Sequence, residues 1–268
     1  MPELTLSCQL CWIAIGASAL MLSLWLWQQH HRDAGIVDAG WAFGIGTAAV
    51  FAGLTGGGDP VVRAVVAVLG AAWGWRLAVY LLRDRVLGKP EDGRYARMRK
   101  ALGRHASAGF LAFFLFQAGL VLLFALPFVL IAAQTRPAGW LTWAGVAVWI
   151  LAMAIEITAD RQLARWRADP GNKGRTCRAG LWRWSRHPNY FGEWLHWWAY
   201  AIIGLGAAHG TWLLIWPALM FAFLWWVTGI PHTERRCLET RGDDYRDYQR
   251  TTSMFFPWFP RPSPESRP

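Results

Sequence analysis

Seven apolar runs dominate this chain, near 8–28, 35–55, 61–82, 109–133, 138–158, 190–208 and 211–230. About 20 residues cross the hydrocarbon of a bilayer. Inside it every backbone polar group must be satisfied within the segment, so runs of this kind are expected to be helices. The expected fold is an all-α integral membrane protein, one transmembrane domain of seven helices over 1–268. Only 16% of residues are charged, against about a quarter in a soluble domain. The second run is rich in Gly and Ala and carries Asp38, and a long polar stretch separates the fifth from the sixth. The first run is not a signal peptide by pattern: no basic residue precedes it and no small-residue cleavage site follows. The tail 261–268 is Pro- and Ser-rich and expected to be disordered.

Charge sets the expected orientation. Of the 27 Lys and Arg, 24 fall in the loops at 29–34, 83–108 and 159–189 and in the segment after 230. The alternate loops keep Arg63 and Arg136, while Arg76 lies within the third run. The positive-inside rule then places the N-terminus outside and the C-terminus in the cytoplasm. The formal charge of +10 is thereby a topology signal. No nucleic-acid partner is expected, because the charge is split among loops joined by spans. Cys8 and Cys11 have metal-like spacing, but no second pair or histidine cluster accompanies them, so no metal site is expected.

Three polar constellations remain, and polar groups are expensive within hydrocarbon. In the third run Arg76, Tyr80, Arg83 and Asp84 share one helical face. A snorkelling arginine and an anion ligand are both open for Arg76. Asp160, Leu163 and Arg167 share a face where the fifth run ends, and a solvated juxtamembrane helix is the simpler alternative there. Asn189, Glu193, His196 and Trp197 share a face in Arg186-His187-Pro188-Asn189-Tyr190-Phe191-Gly192-Glu193-Trp194-Leu195-His196-Trp197. Glu193 sits a full turn inside an apolar helix, which calls for an arginine partner or a ligand that accepts or donates there. Beyond the seventh run follow Pro231-His232-Thr233-Glu234 and an aromatic segment ending Phe255-Phe256-Pro257-Trp258-Phe259-Pro260.

The pattern Asp160…Leu163…Arg167, Gly180-Leu181-Trp182, Pro188-Asn189-Tyr190-Phe191-Gly192-Glu193…Trp197 and His232…Asp244-Tyr245…Phe256-Pro257 resembles the C-terminal domain of the steroid 5α-reductase family, and most nearly its bacterial membrane branch. That resemblance implies seven transmembrane helices in a bacterial cell membrane. It also implies NADPH in a cytoplasm-facing cavity and reduction of a C=C bond conjugated to a carbonyl in a steroid-like or other lipid substrate. By the same resemblance Arg76, Tyr80, Asp84, Asp160, Leu163, Arg167, Asn189, Glu193, Trp197 and His232 would hold the cofactor. The sequence departs from the family at the catalytic pair. Trp73 stands where a Tyr is usual, and Asp38 is the only carboxylate near the second-run position. Asp38 and Trp73 are accordingly the candidate catalytic residues, with Asp38 either a neutral proton donor or a structural residue that pairs with Arg76 or caps the second helix. The Pro-x-Tyr-x-Gly-Glu piece also resembles isoprenylcysteine-type methyltransferases. An S-adenosylmethionine-dependent methyltransferase is therefore the alternative enzyme, and a lipid-binding membrane protein the non-enzymatic one. The sequence leaves the oligomeric state open.

Overall fold

The computed structural model describes residues 3–207, 210–227 and 229–262. Among the described residues there are ten α-helices and no strand. They are α1 Leu6–His31, α2 Ile36–Thr55, α3 Pro60–Leu81, α4 Gly93–Leu102, α5 Ala106–Ala132, α6 Trp140–Ala168, α7 Pro188–Gly204, α8 Ile215–Ala222, α9 Ile230–Arg241 and α10 Asp243–Thr251. Among the described residues six segments are long and apolar enough to cross a membrane: Leu6–His31, Ile36–Thr55, Pro60–Val86, Gly93–Ala132, Trp140–Ala168 and Gly210–Arg241.

The expected count of seven is not reached. The sixth apolar run becomes α7, 17 residues long, short of the roughly 20 that span hydrocarbon. Its start is set by Pro188, whose ring and missing N–H suit a first helical turn. Its end is set at Gly204, whose carbonyl accepts from Ala207 in a turn (2.8 Å). The expected end of that run at 208 lies outside the described residues, as does the tail from 263 onward.

The chain divides into two compact units, Met1–Thr142 with Ile203–Gly210, and Trp143–Ile202 with Thr211–Pro268. In the first, α2 packs most extensively on α3. The Gly and Ala content of α2 serves this contact. A Cβ on Gly74 would lie 2.6 Å from the Ala42 carbonyl and 2.8 Å from Gly46 Cα. Small residues let membrane helices approach this closely, where dispersion rather than water expulsion holds them together. Asp59 caps α3 by accepting from the amides of Val61 and Val62 (3.0 Å each), with Pro60 in the first turn. The α-helical register ends at Leu81, where the Leu87 amide reaches the Leu82 carbonyl (2.8 Å) in a π-turn over Leu82–Val86.

The polar end of this unit is tied by ion pairs. Asp38 accepts from Arg94 (2.8 Å) and from the Tyr95 hydroxyl (2.6 Å). Arg94 also contacts Asp92 (3.2 Å). Glu91 receives Arg99 (2.7 Å) and the Ala34 amide (2.9 Å). These contacts fasten α4 to the link between α1 and α2. Burial holds Asp33, in that link, above the usual carboxylate range, partly offset by the Gly35 amide.

Candidate functional site

The expected site residues fall in both units. In the first, Trp73 is fully buried, edge-on to Trp41 (6.1 Å), which is edge-on in turn to Phe124 (5.7 Å). Its place is that of a core aromatic. Both oxygens of Asp38 accept hydrogen bonds, from Arg94 and from Tyr95. Arg76 and Tyr80 are half-buried on α3. Asp84 is exposed and belongs to the π-turn. That turn is wound more loosely than an α-helix and breaks the α-helical spacing from which the stripe Arg76–Tyr80–Asp84 was read.

The second unit brings the α6 and α7 residues together. Gly192 makes this possible: a Cβ there would lie 3.0 Å from the Ala152 carbonyl and 3.0 Å from the Glu156 amide nitrogen. With the two helices at that separation, the Asn189 amide donates to Asp160 (3.2 Å). One turn further along α7, Glu193 accepts from the Trp197 indole (3.2 Å). A second such rung follows, with His196 beside the Tyr200 hydroxyl (3.1 Å). Leu163 packs with Ala159, Cys177 and Trp182, an apolar support rather than a polar contact. Arg167 is exposed and lines a cavity of about 260 Å³ with Trp166, Lys173, Arg175 and Arg241. His232 is exposed, and its side chain has no hydrogen bond among the described residues.

The 169–187 loop is folded onto α6. Leu181 donates its amide to Gln162 (2.9 Å), and the Trp182 indole donates to the Ala159 carbonyl (3.0 Å). Gly180 has φ +60, and any Cβ there would collide with the Gln162 side chain, so glycine is required on two grounds. Burial raises the Cys177 thiol above its ordinary value.

The dominant polar feature of this unit is a cluster around Glu234, which the sequence showed only as two separate polar stretches. Arg186 approaches it with Nε (3.0 Å) and Nη2 (3.3 Å). His187 Nε2 and the Tyr245 hydroxyl each lie 2.8 Å from the same carboxylate, and Gln249 donates to it as well. Arg186 spends its remaining donors on the carbonyls of Gln249 and Thr252 (3.0 Å each). His187 is 2% exposed. Burial lowers its pKa below the ordinary histidine value, against the pull of Glu234 and with the push of Arg186. Arg186 already balances the carboxylate, so His187 is read as the neutral donor, a tautomer assigned from its partner. Burial first, and Glu234 second, hold the Tyr245 phenol well above its usual range. Tyr190 stacks flat on His187 (5.3 Å, 5°) and meets the Thr233 hydroxyl (3.1 Å). Arg186 and His187 lie 48 and 47 positions before Glu234, a separation at which no local spacing rule operates. The available signal was that a basic motif and an acidic one flank the last two apolar runs.

Fold and site together define an all-helical membrane protein whose polar groups gather where α6 and α7 meet and at the link that joins them. The chain belongs to the family described as "Protein of unknown function (DUF1295)", whose model matches residues 24–252. That family is related to the steroid 5α-reductase-like membrane superfamily. An uncharacterized protein of Schizosaccharomyces pombe is 28% identical over 220 residues, covering 72% of this chain and 62% of that protein. The methanethiol S-methyltransferase of Mycobacterium tuberculosis is 33% identical over 124 residues, covering 44% of this chain and 46% of the enzyme. The matches thus span less than two thirds of either relative. No solved structure matches the chain.

Proposed function

We propose that this chain is a membrane methyltransferase that moves a methyl group from S-adenosylmethionine to a thiol or similar soft nucleophile on a small lipophilic substrate. The observation that carries the reading is the 33% identity to the methanethiol S-methyltransferase over 124 residues. The donor set fits such a cofactor. Two carboxylates, Asp160 and Glu193, suit ribose hydroxyls and the sulfonium charge, and the Asn189 amide, held at 3.2 Å from Asp160, suits the amino-acid end. S-adenosylmethionine supplies an electrophilic methyl group on a positively charged sulfur. The protein's part is to bind, orient and keep water away. Fixed hydrogen bonds hold the Asn189 and Glu193 side chains in place, so little reorganisation is left for the reaction.

The competing reading is an NADPH-dependent reductase of a conjugated C=C bond. It requires a proton donor beside the substrate carbonyl. Trp73 has no acidic hydroxyl, and Asp38 has both oxygens accepting from Arg94 and Tyr95. We also place the C-terminus and the site on the cytoplasmic side of a cell membrane, with α7 completing a seventh crossing. The location of 24 of the 27 Lys and Arg on one side supports that orientation.

Purified protein in detergent tests the proposal through its thermal midpoint with S-adenosylmethionine, S-adenosylhomocysteine or NADPH, followed by methyl transfer from labelled S-adenosylmethionine to short alkanethiols. Stabilisation by both sulfur compounds is expected, with that by S-adenosylmethionine lost in Glu193→Gln. Stabilisation by NADPH alone would overturn the reading in favour of the reductase.

A further inference from the structure

After α10 the chain turns back and runs beside the 176–187 loop. Arg186 donates its amide to the Ser253 carbonyl (2.8 Å), Ser185 its hydroxyl to Phe255 (2.8 Å), and Trp258 its amide to Trp184 (2.9 Å). Phe255 is buried, edge-on to Phe191, Trp194 and Phe221. Phe256 packs on the same rings, edge-on to Phe191 and Trp194 and stacked on Phe221 (6.2 Å), and is 48% exposed. Beyond it Trp258 is 69% exposed and Phe259 70%, and Trp184, in edge contact with Phe259 (5.2 Å), is 36% exposed. Trp184, Trp258 and Phe259 thus form an exposed apolar patch.

Beside that patch lies a cavity of about 440 Å³ lined by Arg178, Arg183, Asp247, Thr251, Pro260 and Arg261. Arg183 is the chain neighbour of Trp184, and Arg261 lies two residues past Phe259. Arg178 is committed to Asp247 (2.7 Å) and Asp244 (3.2 Å). Arg183 and Arg261 have no ion pair among the described residues, so the wall carries uncompensated positive charge. The patch lies close in the chain to an apolar helix: α7 begins at Pro188, four residues past Trp184. Aromatic rings and arginines are the residues that settle at the boundary between headgroups and acyl chains.

We propose that this surface binds an anionic phospholipid of the surrounding membrane. Its phosphate diester sits between Arg183 and Arg261, and its upper acyl chains lie along Trp184, Trp258 and Phe259. The proposal is independent of the methyltransferase reading, since none of these residues belongs to that site.

Delipidated full-length protein in a non-ionic detergent is titrated with phosphatidylglycerol, phosphatidylcholine or glycerol 3-phosphate, and bound lipid is counted by native mass spectrometry. Phosphatidylglycerol is expected to bind at least tenfold more tightly than phosphatidylcholine. In Arg183→Gln/Arg261→Gln its affinity is expected to fall roughly 30-fold, the loss of two near-surface charges, with the phosphatidylcholine affinity falling less, the two lipids becoming equal, and the thermal midpoint unchanged. Trp258→Ala/Phe259→Ala is expected to weaken both lipids. Should the double arginine variant lose its midpoint, Arg183→Gln alone decides, since that side chain is exposed and has no ion pair to lose. Equal affinity for the two lipids overturns the proposal, as does an arginine variant that still prefers phosphatidylglycerol. Glycerol 3-phosphate binding as tightly as the lipid also overturns it, by assigning the cavity to a free phosphate compound.

Discussion

Glu234→Ala is the sharpest test of how the second unit is held together. The carboxylate accepts from Arg186, His187, Tyr245 and Gln249, and the Arg186 and Glu234 side chains are 9% and 12% exposed. Its removal leaves a buried guanidinium with only the carbonyls of Gln249 and Thr252 as partners. Removing one partner of a buried ion pair costs about 3–5 kcal/mol. The 176–187 loop and the 252–261 segment are cross-linked at this point, so the cost falls on their local opening. At a factor of ten per ~1.4 kcal/mol, amide protection there should drop by roughly two to three and a half decades. Hydrogen exchange read by mass spectrometry in detergent measures this directly, with α1–α3 as the internal reference. The double variant Arg186→Met/Glu234→Leu carries no uncompensated charge, so it should recover a large part of the loss, a coupling of about 2 kcal/mol or more. A single variant with unchanged protection, or a double variant worse than either single, would refute the reasoning.

Acid should loosen the same region. The His187 pKa is lowered by burial, so the opened state binds the proton more readily than the closed one. The stability contribution is complete above the ordinary value near 6.5 and is lost as pH falls through it. Protection of 253–258 should therefore decline between pH 7.5 and 5.5, and His187→Gln should flatten the profile. Gly74→Ala should cost about 1–3 kcal/mol by forcing α2 from α3, seen as a lower thermal midpoint, whereas Gly119→Ala, whose Cβ meets nothing within 4 Å, should be neutral. Asp38→Ala should strand the buried Tyr95 hydroxyl at about 1–3 kcal/mol while leaving any S-adenosylmethionine-induced shift intact; loss of that shift would give Asp38 a ligand role. A reporter fused after Pro262 should read cytoplasmic, and a periplasmic signal would reverse the proposed orientation.

The helical class was legible because hydropathy over 20 residues is a one-dimensional property, and six of the seven runs became helices long enough to span. The sixth run gave the 17-residue α7, whose length is decided by Pro188 and by the turn after Gly204 rather than by hydropathy. On α6 and α7, helical spacing grouped Asp160, Leu163 and Arg167 on one face and Asn189, Glu193, His196 and Trp197 on another, because a period of 3.6 determines which residues share a face. It could not supply the partners. Asp38 was read with Arg76 as its structural alternative, but takes Arg94 and Tyr95, which lie on a separate short helix. The pairing of Arg186 with Glu234 and the exposure of His232 are likewise settled by how α9 enters its unit. The π-turn at Leu82–Val86 defeats the spacing rule outright, since it changes the period on which the rule rests.

The placement of charge also bears on which chemistry the protein can run. Three of its ion pairs, Asp38–Arg94, Glu91–Arg99 and Arg186–Glu234, lie at helix ends and links, where partial hydration lowers the cost of each ion. The Asp160 and Glu193 carboxylates on α6 and α7 accept from an amide and an indole, those of Asn189 and Trp197. Such donors hold a carboxylate oxygen in place. A carboxylate beside a bound sulfonium attracts its positive charge. On that argument Asp160→Asn and Glu193→Gln should weaken S-adenosylmethionine binding more than S-adenosylhomocysteine binding, because only the former carries the cation. Equal weakening would reduce both residues to ribose or backbone contacts.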